Sequence, residues 1–94
     1  MIKKSVYKIP EGKLVKIELE TINGEIKKIK ITGDFFLYPE EIISKLEESL
    51  VGCKINKDIM IKHFDNFWKN NLIECFGINS SGLAKAILLA EGNV

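Results

Sequence analysis

Leu14-Val15-Lys16-Ile17-Glu18-Leu19-Glu20-Thr21-Ile22-Asn23-Gly24-Glu25-Ile26-Lys27-Lys28-Ile29-Lys30-Ile31-Thr32-Gly33 is the stretch on which the fold turns. Val15, Ile17 and Leu19 fall on one side, and Lys16, Glu18 and Glu20 on the other. This period of two marks a strand buried on one face. Asn23-Gly24 is the strongest short-range hairpin signal. From Glu25 to Gly33 the alternation resumes, with Ile29 and Ile31 inward and Lys28 and Lys30 outward. A two-residue loop at Asn23-Gly24 would set Leu19 against Lys28 and Ile17 against Lys30, apolar face against charged face, which the period forbids. A three-residue loop Ile22-Asn23-Gly24, with Gly24 left-handed at a bulge, pairs Ile17 with Ile29 and Val15 with Ile31. The longer turn is therefore expected.

Upstream, Ser5-Val6-Tyr7-Lys8-Ile9 alternates weakly as far as Pro10, and Glu11-Gly12 turns the chain into the long strand. Downstream the period becomes helical. Pro39-Glu40-Glu41 reads as a helix start with Pro at the first helical position and acids in the first turn. Ile42, Leu46 and Leu50 form its stripe, Ile43 widens it, and Gly52 ends it. A second helix begins near Asn56, with Asp58 in its first turn and Met60, Phe64, Phe67, Trp68 and Asn71 on its inner face. A third starts at Asn79-Ser80, either of which can cap, carries Leu83, Ala86, Ile87 and Ala90, and stops at Gly92. Strands followed by helices predict an α+β two-layer sandwich. An antiparallel sheet of about three strands would be followed by three helices packed on one face, in one domain over residues 1–94.

Composition narrows the function. With 94 residues, 46% of them apolar, the chain has material for one two-layer core and none to spare for a deep substrate cavity. All 14 cations are Lys, against 13 acids, for a net charge of +1. That balance gives no bulk attraction to nucleic acid or to anionic lipid, and the lack of Arg removes the bidentate fork favoured for phosphate and guanine. Charge is unevenly spread: residues 1–34 hold eight Lys and five acids, and residues 35–94 six Lys and eight acids. No apolar run approaches the ~18 residues of a membrane span. Met1-Ile2-Lys3-Lys4 has no apolar stretch behind it, so no signal peptide is expected. Cys53 and Cys75, with no CxxC, suit a reducing, cytoplasmic setting.

No complete active site emerges. His63 is the sole His, sits mid-helix, and its spacing to Cys53 and Cys75 matches no zinc pattern. Cys53 follows a helix C-terminus, where the dipole disfavours a thiolate, and Cys75 lies in a connector, Leu72–Ile78. Glu40/Glu41 and Glu47/Glu48 are adjacent on helices and diverge by about 100°, as acids on a solvated face do. Gly12 and Gly33 belong to no phosphate-binding motif. Phe64, Phe67 and Trp68 read as core, with a surplus of width that a partner surface could use. One connector resists an ordinary reading: Gly33-Asp34-Phe35-Phe36-Leu37-Tyr38-Pro39 places three aromatics and a Leu where loops are usually polar. Asp34 is expected to bond its own backbone two residues on, and to send Phe35 and Phe36 in opposite directions, one into the core and one outward with Tyr38.

Tyr7-Lys8-Ile9-Pro10-Glu11-Gly12-Lys13-Leu14-Val15, then Asn23-Gly24, Gly33-Asp34-Phe35-Phe36 and Pro39-Glu40-Glu41, resembles the C-terminal domain of lipoate–protein ligases. The helix Leu46–Leu50 before Gly52, and Gly77-Ile78 ahead of Leu83-Ala84-Lys85-Ala86-Ile87, extend the resemblance over nearly the whole chain. Its order and spacing make it specific, and the Gly-Asp-Phe-Phe corner is its best single piece. Glu11 departs from it, standing where a second Gly is expected, and Ser81-Gly82 stands where acids are usual.

In that family a large domain binds lipoate and ATP, forms lipoyl-adenylate and transfers lipoate to a lysine of an acceptor protein. Some systems encode the small domain separately. The resemblance implies that this chain is such an accessory subunit, non-catalytic and unable to form an adenylate alone. It would bind no cofactor itself, and lipoate, ATP and Mg would be handled by the large catalytic subunit. Lipoyl acceptor domains would be indirect partners; nucleic acid and membrane would not. The residues it implicates in the partner interface or in support of adenylation are Tyr7, Lys8, Gly12, Lys13, Gly33, Asp34, Phe35, Phe36, Tyr38 and Pro39. The fold is also shared with the iron–sulfur scaffold and sulfur-acceptor superfamily. The alternative, a small iron–sulfur scaffold or sulfur carrier, demands a reactive Cys, and two Cys alone cannot ligate a cluster.

Overall fold

A computed structural model describes residues 2–92; Met1, the first residue of the N-terminal reading, lies outside them. Strands β1 (Lys3–Lys8), β2 (Leu14–Ile22) and β3 (Glu25–Gly33) form an antiparallel sheet in the order β1-β2-β3. Helices α1 (Ile42–Leu50), α2 (Lys57–Asn71) and α3 (Ser80–Glu91) follow. α1 lies against β3, α3 spans β1 and β2, and α2 packs on α3. Val15, Ile17, Leu19, Ile26, Ile29 and Ile31 face the helices and are buried with Leu46, Leu50, Met60, Phe64, Leu83 and Ile87. Among the described residues no helix is long and apolar enough to cross a membrane.

The hairpin corrects the expected turn while keeping its parity. Asn23 (φ 52°) and Gly24 (φ 76°) form a two-residue loop, both in the left-handed region that such turns require. Ile22 pairs with Glu25 and Thr21 with Ile26; the register then shifts, and Glu20 pairs with Lys28, Leu19 with Ile29 and Ile17 with Ile31. Lys27 is the extra residue. A bulge inside β3, rather than a longer loop, thus sets apolar against apolar. The free edge of β3 is closed as well. Ile26 exchanges backbone bonds with Cys53 and Gly52, and the Ile31 N–H donates to Glu47 Oε2 at 2.7 Å. Glu47 is therefore a half-buried cap on a strand and not a member of a solvated face.

Other boundaries move. The first strand ends at Lys8, and Ile9 turns in to be buried. α1 starts at Ile42, so Pro39 precedes the helix and no acid lies in its first turn. Asn56 and Asn79 cap α2 and α3, each side chain accepting the N–H three residues on. Asn71 is exposed, its amide donating back to Phe67 O. The surplus aromatic width of α2 is spent internally: Trp68 Nε1–H donates to Ser80 Oγ at 2.9 Å, tying α2 to the first turn of α3. A second, two-stranded sheet was not expected: β4 (Phe36–Tyr38) within the aromatic corner pairs with β5 (Glu74–Phe76), in the segment read as a connector.

Candidate functional site

The β1–β2 turn, residues 9–13, is locked to the chain ahead of α3. Gly12 N–H donates to Ile9 O (2.8 Å), Ile9 N–H to Lys13 O (3.1 Å) and Lys13 N–H to Gly77 O (2.8 Å). Glu11, at φ 60°, holds the left-handed position where glycine is the easier residue. A Cβ on Gly12 would sit 2.6 Å from Gly77 O, and one on Gly82 2.7 Å from Ile9 Cδ1. Close backbone approach therefore explains Gly12, and also why Ser81-Gly82 can open α3: Ile9 occupies the space a side chain at 82 would need.

A few residues away lies the aromatic corner. Gly33 has φ 149°, and a Cβ there would meet Leu14 O at 2.2 Å. The next residue's N–H, that of Asp34, donates to the same carbonyl at 2.9 Å. This backbone bond, not the expected side-chain turn of Asp34, forms the corner. The chain then enters β4. Leu37 points inward and is buried; Phe36 and Tyr38 point outward, 48% and 60% exposed. Across the pair, Phe36 faces Phe76, itself 55% exposed, with ring centroids 6.1 Å apart. Phe35 is half-buried and packs against the core while Phe36 points outward with Tyr38, the divergence expected of the two rings, and Leu37 is the one corner residue buried outright.

The ten sequence-selected residues do not make one surface. Phe76 adjoins Gly77, whose carbonyl takes the Lys13 N–H, so Phe36, Phe76, Gly12 and Lys13 lie in adjoining segments. Gly33 and Asp34 brace Leu14, the residue after Lys13. Tyr7 points to the helix side and packs against the core, while Lys8 projects on the opposite sheet face with its Nζ on Ile9 O at 3.1 Å. Pro39 is half-buried. Phe76, Gly77 and Gly82 were missed as site residues; the Gly77-Ile78 pair was the available signal. Burial pushes both thiols, Cys53 and Cys75, above the ordinary range, the opposite of what a nucleophilic cysteine needs. The arrangement offers an apolar aromatic patch beside an exposed ammonium group, a surface for binding rather than for bond-making.

Residues 6–87 match the family described as the bacterial lipoate protein ligase C-terminus. A curated relative, lipoate-protein ligase A subunit 2 of Thermoplasma acidophilum, is 39% identical over 61 residues, and the match spans 64% of each chain. The fold is similar to a chain in the solved structure of an archaeal lipoylation system from the same organism, a bi-partite lipoate protein ligase and its E2 lipoyl domain. The TM-score is 0.78 at 28% identity, covering 93% of this chain and 94% of that one.

Proposed function

The chain belongs to the family of bacterial lipoate protein ligase C-termini, and we propose that it is the accessory subunit of a two-chain lipoate–protein ligase. It binds a large catalytic subunit and supports lipoyl-adenylate formation there, ahead of lipoyl transfer to an acceptor protein. Lipoate, ATP and Mg are held by the large subunit, and the two free thiols suit a reducing, cytoplasmic setting.

The observation that carries this reading is the aromatic patch. Phe36, Tyr38 and Phe76 stand out from a two-stranded sheet, supported beneath by Leu37 and braced by the backbone at Gly33 and Gly77. Rigid exposed aromatics of this kind are the anchors that dominate protein interfaces. Lys13, on the adjoining turn, is placed beside that interface and supports adenylation at its margin; Lys8 does so from the neighbouring strand end. Association measured by calorimetry tests the patch. Phe36→Ala and Phe76→Ala chains should fold and bind the large subunit more weakly by ~1–2 kcal/mol or more each. Native affinity in both would remove the patch from the interface.

A further inference from the structure

We propose that the open face of the β1–β2–β3 sheet is the docking surface for an acidic face of the protein that receives the lipoyl group; this rests on the accessory-subunit role above. The helices cover one face of the sheet only. On the other, the register aligns Lys4 with Glu18 and Lys30, Val6 with Lys16 and Thr32, Glu20 with Lys28, and Lys8 with Leu14. Lys4, Lys8, Lys16, Lys28 and Lys30 are all exposed, while Glu18 and Glu20 are half-buried. Among the described residues the one ion pair within contact distance is Lys3–Glu91, on the covered side. Five ammonium groups thus share a face with three carboxylates, Glu18, Glu20 and Glu25 (opposite Ile22), none paired at contact among the described residues. The helical layer carries the opposite sign, with six Lys against eight acids over residues 35–94. A net charge of +1 hides a dipole with its positive end on the open sheet.

Protection of a strand edge explains part of this and no more. Lysines on an edge strand deter stray pairing, which accounts for Lys4 and Lys8 on β1. Lys16 lies on the central strand, and Lys28 and Lys30 lie on β3, whose edge is already closed by residues 52–53 and by Glu47. The kind of surface identifies the occupant. The aromatic patch suits a partner that stays bound. A lysine face attracts at long range, speeds encounter and is screened by salt. Those are the properties suited to a substrate protein that must arrive and leave in every cycle. The face has no Arg and no aromatic side chain, so it steers by charge and lacks the stacking platform of a single-strand nucleic-acid site.

The test uses the assembled two-chain ligase, with a lipoyl acceptor domain as the probe and two separate readouts. Adenylation is followed as pyrophosphate release without acceptor, and transfer as acceptor KM at about 50 and about 500 mM salt, either side of the screening range. For the Lys4→Glu/Lys16→Glu/Lys30→Glu chain, adenylation should stay within about twofold of native, while acceptor KM at low salt rises about tenfold or more and loses its salt dependence. The corresponding Lys→Gln chain keeps the test open if charge reversal unfolds the protein, and should show the same change at smaller size. An unchanged acceptor KM, a native KM indifferent to salt, or equal losses in both readouts would overturn the proposal. A native chain with no effect on adenylation would instead refute the accessory role, which the first readout reports on its own.

Discussion

Glu11 shows most sharply how one residue is held by its surroundings. Its φ of 60° is forced by the Ile9–Lys13 turn, which is fixed from outside by the Lys13–Gly77 hydrogen bond. A side chain costs roughly 1–2 kcal/mol in that conformation, and Gly does not. Glu11→Gly should therefore stabilise the protein by about 0.5–1 kcal/mol in denaturant unfolding, despite the added freedom of the unfolded chain. A loss of stability would show that the Glu11 side chain makes a compensating interaction. His63 gives a second prediction. Burial lowers its pKa, and Nε2 lies 2.9 Å from Ser49 Oγ. Its folded-state value is below its unfolded value, so the unfolded chain takes up the proton first. Stability is therefore full above about pH 6.5 and falls as pH drops through the lowered value. His63→Gln should flatten unfolding stability between about pH 7 and pH 5 relative to native; equal slopes would mean that other groups set the dependence.

Among the elements, β4 and β5 separate packing from binding within three consecutive residues. Leu37→Ala should cost about 2–4 kcal/mol of folding stability, as a buried leucine does. Phe36→Ala should cost no more than about 1.5 kcal/mol, the worth of an aromatic pair, because its ring is half outside and touches chiefly Phe76. Thermal and denaturant unfolding of the two variants would compare them directly, and equal costs would place Phe36 in the core. The same strands mark where the sequence stops being legible. The long hairpin could be read because nine residues repeat a period of two, and parity alone required apolar residues to face each other. The means of meeting that demand, a bulge at Lys27, could not be read, since one extra residue in the loop satisfies the parity equally well. β4 and β5 are three residues each and exist only through one another across nearly forty residues of chain. No local pattern announces such a pair. Glu47 hid for a related reason: its role is a bond to a backbone N–H on another element, which side-chain periodicity does not encode.

Taken whole, the molecule is a sheet covered on one side, with chemistry confined to its surfaces. Gly12 and Gly33 entered the site only through the family resemblance, because their reason, backbone carbonyls of Gly77 and Leu14 at the place of a Cβ, is a tertiary fact. Of the residues chosen from sequence, Phe36 and Tyr38 reach the surface as a patch, Lys13 borders it, and Tyr7 faces the core. In the proposed function this patch is where the large subunit binds, and the phosphate chemistry belongs to that subunit. Lipoyl-adenylate formation, followed as lipoate- and ATP-dependent pyrophosphate release by the large subunit with and without this chain, tests that division most directly. The account predicts no release by this chain alone, little by the large subunit alone and full activity when they are combined, reduced when Lys13→Ala replaces the native chain. Equal release by the large subunit in the presence and absence of the chain would contradict it.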